Sequence, residues 1–256
     1  RDDIMELKAK GLFLPRLYLL ITIAVYLLHV VIPYRYVSFL GLALLAFFGI
    51  YFLYKKFYSS FHFILLFFII ITSSFLPYLK YFYLISGFVI YLAIVLSIPF
   101  LRKNNTWFKI GNLTRNSLFH LILLIILSCG ILVIWYVIFQ PDLSPMVKAF
   151  KTRNILVIFF AVVGFAIINA IAEELIFDGV CFKAMEIHFP HPVLYIGFQA
   201  IAYSVSHYNG IPSGGIGIIL SFIYGGLMLG FLRYKTQGLL FSVIAHIFAD
   251  FTIGML

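Results

Sequence analysis

Charged residues are scarce in this sequence, and acidic residues are almost missing from its first half. Only 11% of the 256 residues are Asp, Glu, Lys or Arg, and none between Glu6 and Asp142 is acidic. Soluble domains carry about 25% charged residues. This composition therefore excludes an ordinary soluble domain, and the 64% of apolar residues is typical of a membrane protein.

Cysteine is also rare. Cys129 and Cys181 lie far apart in apolar surroundings, which argues against a disulfide framework and against a cysteine-based metal site. The formal charge of +9 is compatible with a nucleic-acid partner, but the basic residues stand in short clusters between apolar runs. That pattern is typical of a membrane topology signal, so we predict no nucleic-acid binding.

Long apolar runs predict the fold class. A helix needs about 20 mostly apolar residues to span a bilayer, and open strands would leave backbone polar groups unpaired in lipid. Nine runs reach or approach this length: Leu12–Ile32, Tyr36–Tyr54, Phe61–Leu79, Tyr81–Leu101, Leu118–Phe139, Asn154–Phe177 (with a continuation to His188), Pro192–His207, Gly214–Leu232 and Leu239–Leu256. We predict an all-α, polytopic integral membrane helix bundle with about eight to nine transmembrane helices.

The Lys and Arg residues predict the orientation of these helices. If the N-terminus is cytoplasmic, thirteen Lys and Arg residues fall in inside segments and five in outside segments. Short cytoplasmic loops are enriched in these residues. We therefore predict a multi-pass protein with a cytoplasmic N-terminus and an outside C-terminus.

Ionisable residues divide the chain into two parts. The interiors of the first five runs contain no Asp, Glu, Lys or Arg, whereas the last four contain Glu173, Glu174, Asp178, His207, His246 and Asp250. We predict that residues 1–139 form N-terminal scaffold helices and that residues 154–256 form the functional core of a single integrated membrane domain. The segment Gln140–Arg153 would join the two parts.

The acidic cluster at Glu173, Glu174 and Asp178 is the most informative feature, because a carboxylate in the hydrocarbon layer costs several kcal/mol. Helix rise places Glu173 and His207 each roughly 22 Å from the turn at Phe189-Pro190-His191-Pro192. His246 and Asp250 lie roughly 12 and 18 Å beyond Gly238. If the two turns are on one side, these groups meet at a similar depth.

Helical spacing predicts which side chains can touch. His246 and Asp250 are four residues apart and share a face. Glu174 and Asp178 have the same spacing, and two stacked anions would repel, so at least one must be protonated or neutralised. Two further residues stand one turn from the main groups, Tyr203 before His207 and Asn169 before Glu173. Ser204 and Ser206 are expected to point away from His207, and His188 to lie at the surface.

Two chemistries fit Glu, His, His and Asp in a dry pocket. In the first, Glu173 is a general base on a water held by His207, and His246 with Asp250 binds the oxyanion. In the second, Glu173, His207, His246 and Asp250 ligate Zn²⁺, which activates the water. Both hydrolyse an amide bond. The commonest zinc-protease signature, His-Glu-x-x-His, is absent from the sequence.

Three motifs together resemble the CPBP (Abi) family of CAAX proteases and bacteriocin-processing enzymes. They are Glu173-Glu174-x-x-x-Asp178-Gly179, similar to the family's glutamate pair, Tyr203-x-x-x-His207, similar to its second motif, and Ser242-Val-Ile-Ala-His246-Ile-Phe-Ala-Asp250, similar to its third. The resemblance covers about residues 154–256. It implies an intramembrane endopeptidase related to type II CAAX prenyl endopeptidases.

The resemblance also implies roles for single residues. Glu173 would be the catalytic glutamate, paired with His207 on the water, and His246 and Asp250 would form the oxyanion site. We predict a catalytic group of Glu173, Glu174, His207, His246 and Asp250, supported by Asp178, Tyr203 and Asn169. We expect no cofactor, with Zn²⁺ as the alternative, because four protein ligands would leave a metal no open position.

The implied partners are membrane lipid and a membrane-associated protein or peptide, either lipid-modified or bearing a C-terminal sorting signal.

Two departures from the family pattern argue for a different function. Asp178 replaces an arginine that would neutralise Glu174, so a shared proton, Lys183 or a histidine must take its place. Asp250 replaces a common Asn. A catalytically altered or inactive scaffold or immunity protein is therefore the alternative, and an ion-coupled transporter is a third reading.

Overall fold

The computed structural model describes residues 13–32, 34–79, 82–141, 154–212 and 214–256, and within these ranges it contains helices and no strand. This confirms the predicted all-α fold. The helices are α1 (Phe13–Val31), α2 (Arg35–Tyr54), α3 (Tyr58–Ser73), α4 (Tyr83–Ser97), α5 (Pro99–Lys103), α6 (Arg115–Phe139), α7 (Ile155–His188), α8 (Pro192–Ser206), α9 (Gly214–Thr236) and α10 (Leu240–Met255).

Several helices have the length and composition of membrane spans. Among the described residues, α1, α2, α6, α7 and α9 are long and apolar enough to cross a bilayer, and α3, α4 and α10 are shorter apolar helices. The protein is thus a polytopic helical membrane protein.

Two predicted helices extend further in the prediction than in the structure. Helix α3 ends at Ser73 rather than Leu79, before a turn that contains Pro77, and α4 ends at Ser97 because the residue before Pro99 is disfavoured in helical conformation.

Parts of the predicted topology lie outside the described residues. They include most of the segment Gln140–Arg153 and the basic residues Arg1, Lys8, Lys10, Lys80, Lys148, Lys151 and Arg153. The orientation in the membrane and the division at residues 139 and 154 therefore stay predictions.

Helix α7 is the central element of the C-terminal part. It runs past Phe177 to His188 and contains a π-helical segment, Leu175–Cys181, directly after the glutamate pair. A second π segment, Phe222–Met228, lies within α9. Such segments are rare and occur frequently at functional sites, because the wider turn redirects the side chains that follow. Helix α10 packs along both α7 and α6.

The end of α7 is fixed by the N-terminal helices. The prediction that His188 lies at the surface is wrong, since only 1% of this residue is exposed. Its Nε2 is 2.7 Å from Ser60 Oγ of α3, and its backbone carbonyl accepts a 2.8 Å hydrogen bond from Arg16 Nε of α1. Buried polar groups need such partners, and these bonds connect α7 to α1 and α3.

Candidate active site

Helices α7, α8 and α10 bring four predicted site residues together. Glu173 Oε2 lies 3.6 Å from His207 Nε2 and 3.7 Å from His246 Nε2, and His246 Nε2 lies 3.4 Å from Asp250 Oδ1. These separations are longer than most direct hydrogen bonds. They are short enough for one water molecule to contact Glu173 and His207 at the same time.

Glu174 holds His246 in place. Its Oε1 is 2.7 Å from His246 Nδ1, and the two residues are 1% and 2% exposed. A carboxylate accepts, so Nδ1 carries the proton and donates it to Glu174. The other ring nitrogen, Nε2, is thereby turned toward Glu173 and Asp250. The two adjacent glutamates thus have separate surroundings, because successive residues on a helix point about 100° apart.

Asn169 holds Asp250 in the same way. Its Nδ2 donates a 3.0 Å hydrogen bond to Asp250 Oδ2, which joins the middle of α7 to α10. The other carboxylate oxygen, Oδ1, is the one that faces His246. Asn169 therefore fixes the Asp250 carboxylate with Oδ1 facing the His246 ring.

His207 is oriented by atoms of its own helix end. Its Nδ1 is 3.3 Å from the backbone carbonyl oxygen of Tyr203 and 3.1 Å from Ser206 Oγ. A carbonyl only accepts, so Nδ1 is the protonated nitrogen of the neutral ring, and Nε2 is an acceptor that faces Glu173. The prediction that Ser206 points away is wrong. The helix tightens into a 3₁₀ turn at His207–Asn209, which brings Ser206 beside the ring.

Tyr203 lies between the two histidines. Its ring centroid is 4.7 Å from that of His207, and its hydroxyl is 3.3 Å from His246 Nε2. The ring also lies against Gly225 of α9, where an added methyl group would overlap it. The absence of a side chain at Gly225 is therefore what lets Tyr203 occupy this position.

Asp178 lies beside Glu174, one turn further along α7. It is 1% exposed, and neither of its carboxyl oxygens has a hydrogen-bond partner among the described residues. One of the predicted substitutes for the missing arginine, a histidine, does contact Glu174: this is His246. Lys183 does not, because it pairs with Glu186 at 2.7 Å.

Arg233, one of the thirteen Lys and Arg residues assigned to inside segments, also reaches Asp178. Arg233 of α9 is 3% exposed, donates a 3.2 Å hydrogen bond from Nε to the backbone carbonyl of Asp178, and stacks over the ring of Phe182. No periodicity or motif indicated this burial. A positive charge therefore lies near the carboxyl pair, although it comes from another helix.

A small cavity opens beside these groups. It has a volume of about 50 Å³, and His207, His246 and Asp250 line it together with Ser128, Ile131 and Leu132 of α6. A water molecule needs about 10–15 Å³ by the same measure, so the cavity has room for a few. The N-terminal part of the chain thus contributes walls to the site, although these residues carry no signal for this position in the sequence.

No group of three or more His, Cys, Asp or Glu side chains among the described residues has the arrangement needed to hold a metal ion. Glu174 and Asn169 bind His246 Nδ1 and Asp250 Oδ2, which leaves His246 Nε2 and Asp250 Oδ1 to face the other site residues.

The geometry defines a buried carboxylate–histidine site in a helical membrane protein, and a family comparison agrees with it. Residues 153–252 match the family model described as type II CAAX prenyl endopeptidase Rce1-like. The matched region contains α7, α8, α9 and most of α10, and the match agrees with the family resemblance of the three motifs. Comparisons with curated proteins and with solved structures gave no match.

Proposed function

We propose that this protein is an intramembrane endopeptidase that hydrolyses a peptide bond of a membrane-associated protein or peptide. The observation that carries the proposal is the position of Glu173 Oε2, which lies within 3.7 Å of the Nε2 atoms of both His207 and His246. Glu173 is 6% exposed, and this oxygen receives no hydrogen bond from the described residues. A water molecule beside it would supply one.

Glu173 and His207 activate that water. Glu173 accepts a proton from it, and Nε2 of His207, an acceptor in the neutral ring, holds its second hydrogen. The water oxygen then forms a bond to the carbonyl carbon of the substrate. The carbonyl oxygen becomes the oxyanion of a tetrahedral intermediate.

His246 and Tyr203 stabilise the oxyanion. When its ring is protonated, His246 presents an N–H at Nε2 toward the cavity, and the Tyr203 hydroxyl lies next to it. Donors fixed in advance in a dry site are the largest single contribution in many acyl-transfer reactions. Glu174 and Asp250 hold the His246 ring and balance its charge, and Asp250 does not donate.

Collapse of the intermediate completes the reaction. The carbon–nitrogen bond breaks, Glu173 returns its proton to the leaving nitrogen, and the products are a carboxylic acid and an amine. The acid then gives its remaining proton to the amine, which leaves a carboxylate and an ammonium group. Glu173 thus acts first as a base and then as an acid. No net oxidation or cofactor is needed.

We propose that this chemistry proceeds without a cofactor, and Zn²⁺ is the alternative. If a metal were bound, Glu173, His207, His246 and Asp250 would be its ligands. Elemental analysis of active, purified protein distinguishes the two. Substoichiometric metal with full activity supports the glutamate mechanism, and activity that rises in proportion to bound zinc contradicts it.

The partners in this proposal are membrane lipid and a membrane-associated protein or peptide, lipid-modified or bearing a C-terminal sorting signal. No nucleic acid takes part. The apolar walls that Ile131 and Leu132 contribute to the cavity suit a substrate that stays in or near the bilayer.

A proteolysis assay tests the proposal. Wild-type protein in liposomes is incubated with a farnesylated C-terminal peptide and with an acyl-anchored apolar peptide, and the fragments are identified by mass spectrometry. Glu173→Gln should lower the cleavage rate by about 10²- to 10⁴-fold, the range for losing a general base. Glu186→Gln on the same helix is the matched control. Undiminished cleavage by Glu173→Gln would contradict the mechanism.

Asp178 favours a second candidate, a catalytically altered or inactive protease-like scaffold or immunity protein. It is buried where the family pattern has an arginine. Cleavage of either peptide by wild-type protein, dependent on Glu173, removes this candidate. Absence of cleavage in wild type, together with a large gain in Asp178→Arg, supports it.

A further inference from the structure

A second cavity lies at a different place, where the helices of the N-terminal part end. It has a volume of about 280 Å³, larger than that of the candidate active site, and is lined by His29 of α1, Arg35 and Ser38 of α2, and Ser74 and Phe75 after α3. Polar atoms form a large share of its walls, although the helices around it are strongly apolar. Nothing in the proposed reaction uses these residues.

The cavity is positively charged and has no internal counter-ion. No acidic residue occurs in the sequence from residue 7 to 141, and none of the residues that line the cavity is acidic. Among the described residues, no carboxylate lies within ion-pair distance of Arg35. The N–H groups of its guanidinium are therefore available to form paired hydrogen bonds with an anion.

The surrounding groups add no negative charge, and the Nε2 atom of His29 is left free to donate. His29 Nδ1 and Ser38 Oγ are 2.8 Å apart, which fixes the imidazole ring, and Ser74 Oγ donates to the backbone carbonyl of Ile71. Arg35 is the first residue of α2, and the residue before it, Tyr34, makes no side-chain cap. The first N–H groups of this 20-residue helix add a favourable field for an anion at the same end.

Exposed tyrosines mark this end as the membrane interface. Tyr34, Tyr36 and Tyr78 are 69%, 86% and 93% exposed, and they flank the cavity in the chain. Tyrosines concentrate at the depth of lipid headgroups, where their rings are in apolar surroundings and their hydroxyls in water. The anions present at that depth are the phosphate groups of lipids.

We propose that the cavity lined by His29, Arg35, Ser38 and Ser74 binds the phosphate group of an anionic phospholipid. The guanidinium of Arg35 pairs with the phosphate oxygens, and His29 donates from Nε2. The acyl chains lie along the apolar outer faces of α1 and α2. This site is separate from the Glu173 site and does not depend on proteolytic activity.

Equilibrium binding to the purified full chain in detergent tests the proposal. The probes are fluorescent phosphatidylglycerol, a fluorescent diacylglycerol that lacks phosphate, and unlabelled inorganic phosphate as competitor. Wild type should bind phosphatidylglycerol more tightly than diacylglycerol. Arg35→Gln should weaken phosphatidylglycerol binding by about fivefold, the usual effect of one basic residue at an anionic surface. The matched control is Arg115→Gln, at the first residue of α6.

Two further variants keep the result interpretable. Arg35→Lys retains the charge and should retain most of the affinity, and His29→Phe should weaken it, with helix content from circular dichroism showing that each variant is folded. Equal binding of the two lipids, or unchanged affinity in Arg35→Gln, overturns the proposal. If inorganic phosphate alone binds in an Arg35-dependent way while phosphatidylglycerol does not, the ligand is free phosphate and the lipid assignment is wrong.

Discussion

Glu174 on α7 accepts a buried hydrogen bond from His246 on α10, with 2.7 Å between Glu174 Oε1 and His246 Nδ1. This bond connects two helices whose motifs are more than 70 residues apart in sequence. It gives the second glutamate a function different from that of the first. Glu173 faces the cavity groups, while Glu174 fixes the ring that would stabilise the oxyanion.

Glu174→Ala should therefore lower kcat by about a hundredfold, a typical effect when a group that acts through hydrogen bonding in acid–base catalysis is lost. It should leave KM nearly unchanged, because Glu174 does not line the cavity. Glu174→Gln keeps an acceptor for Nδ1 and should lose less. Steady-state cleavage of the lipid-anchored peptides measures both parameters. A variant whose KM rises while kcat stays constant would place Glu174 in substrate binding instead.

Asn169→Ala should reduce kcat because Asp250 loses the donor to its Oδ2. If Asn169 acts only through Asp250, the double variant with Asp250→Ala should be no slower than Asp250→Ala alone. Residues that share a network show such non-additive effects, often 0.5–3 kcal/mol of coupling. Cleavage rates of the two single variants and the double variant form the required cycle. Additive losses would show that Asn169 has an independent role.

Much of this arrangement follows from local patterns. Apolar runs predicted most helices to within a few residues because hydropathy and helix length are local properties. The four-residue spacing of His246 and Asp250 placed them on one face, and the structure has them 3.4 Å apart. Rise along the helices also anticipated that Glu173 and His207 reach a similar depth.

Relations between helices could not be predicted in the same way. The bond from His246 to Glu174 depends on how α7 and α10 are rotated against each other, which periodicity does not determine. The π segment after Glu174 changes the direction of later side chains on α7. Arg233 was counted as a loop charge because burial of an arginine depends on its partners, here Asp178 and Phe182.

Asp178→Arg, which restores the residue of the family pattern, should destabilise this protein. Arg233 already lies beside position 178, so the variant would bury two guanidinium groups together. An unpaired buried charge costs about 3–5 kcal/mol. Asp178→Asn, which is uncharged and has nearly the same shape, should be tolerated. Thermal unfolding in detergent compares the two variants. A higher melting temperature in Asp178→Arg would show that Arg233 does not take the place of the arginine that the family pattern has at position 178.

Gly225→Ala should lower both activity and stability, because a methyl group at this position would overlap the ring of Tyr203. Forcing extra volume into a packed contact costs about 1–3 kcal/mol, and Tyr203 would have to move away from His207 and His246. Gly197→Ala on α8 is the matched control, since nothing lies within 4 Å of the added methyl there. A Gly225→Ala/Tyr203→Leu double variant should recover stability, because leucine is shorter than tyrosine and leaves room for the methyl group. It should not recover cleavage, because the hydroxyl next to His246 is gone. Recovery of full cleavage in the double variant would remove Tyr203 from the oxyanion site and leave it a packing role only.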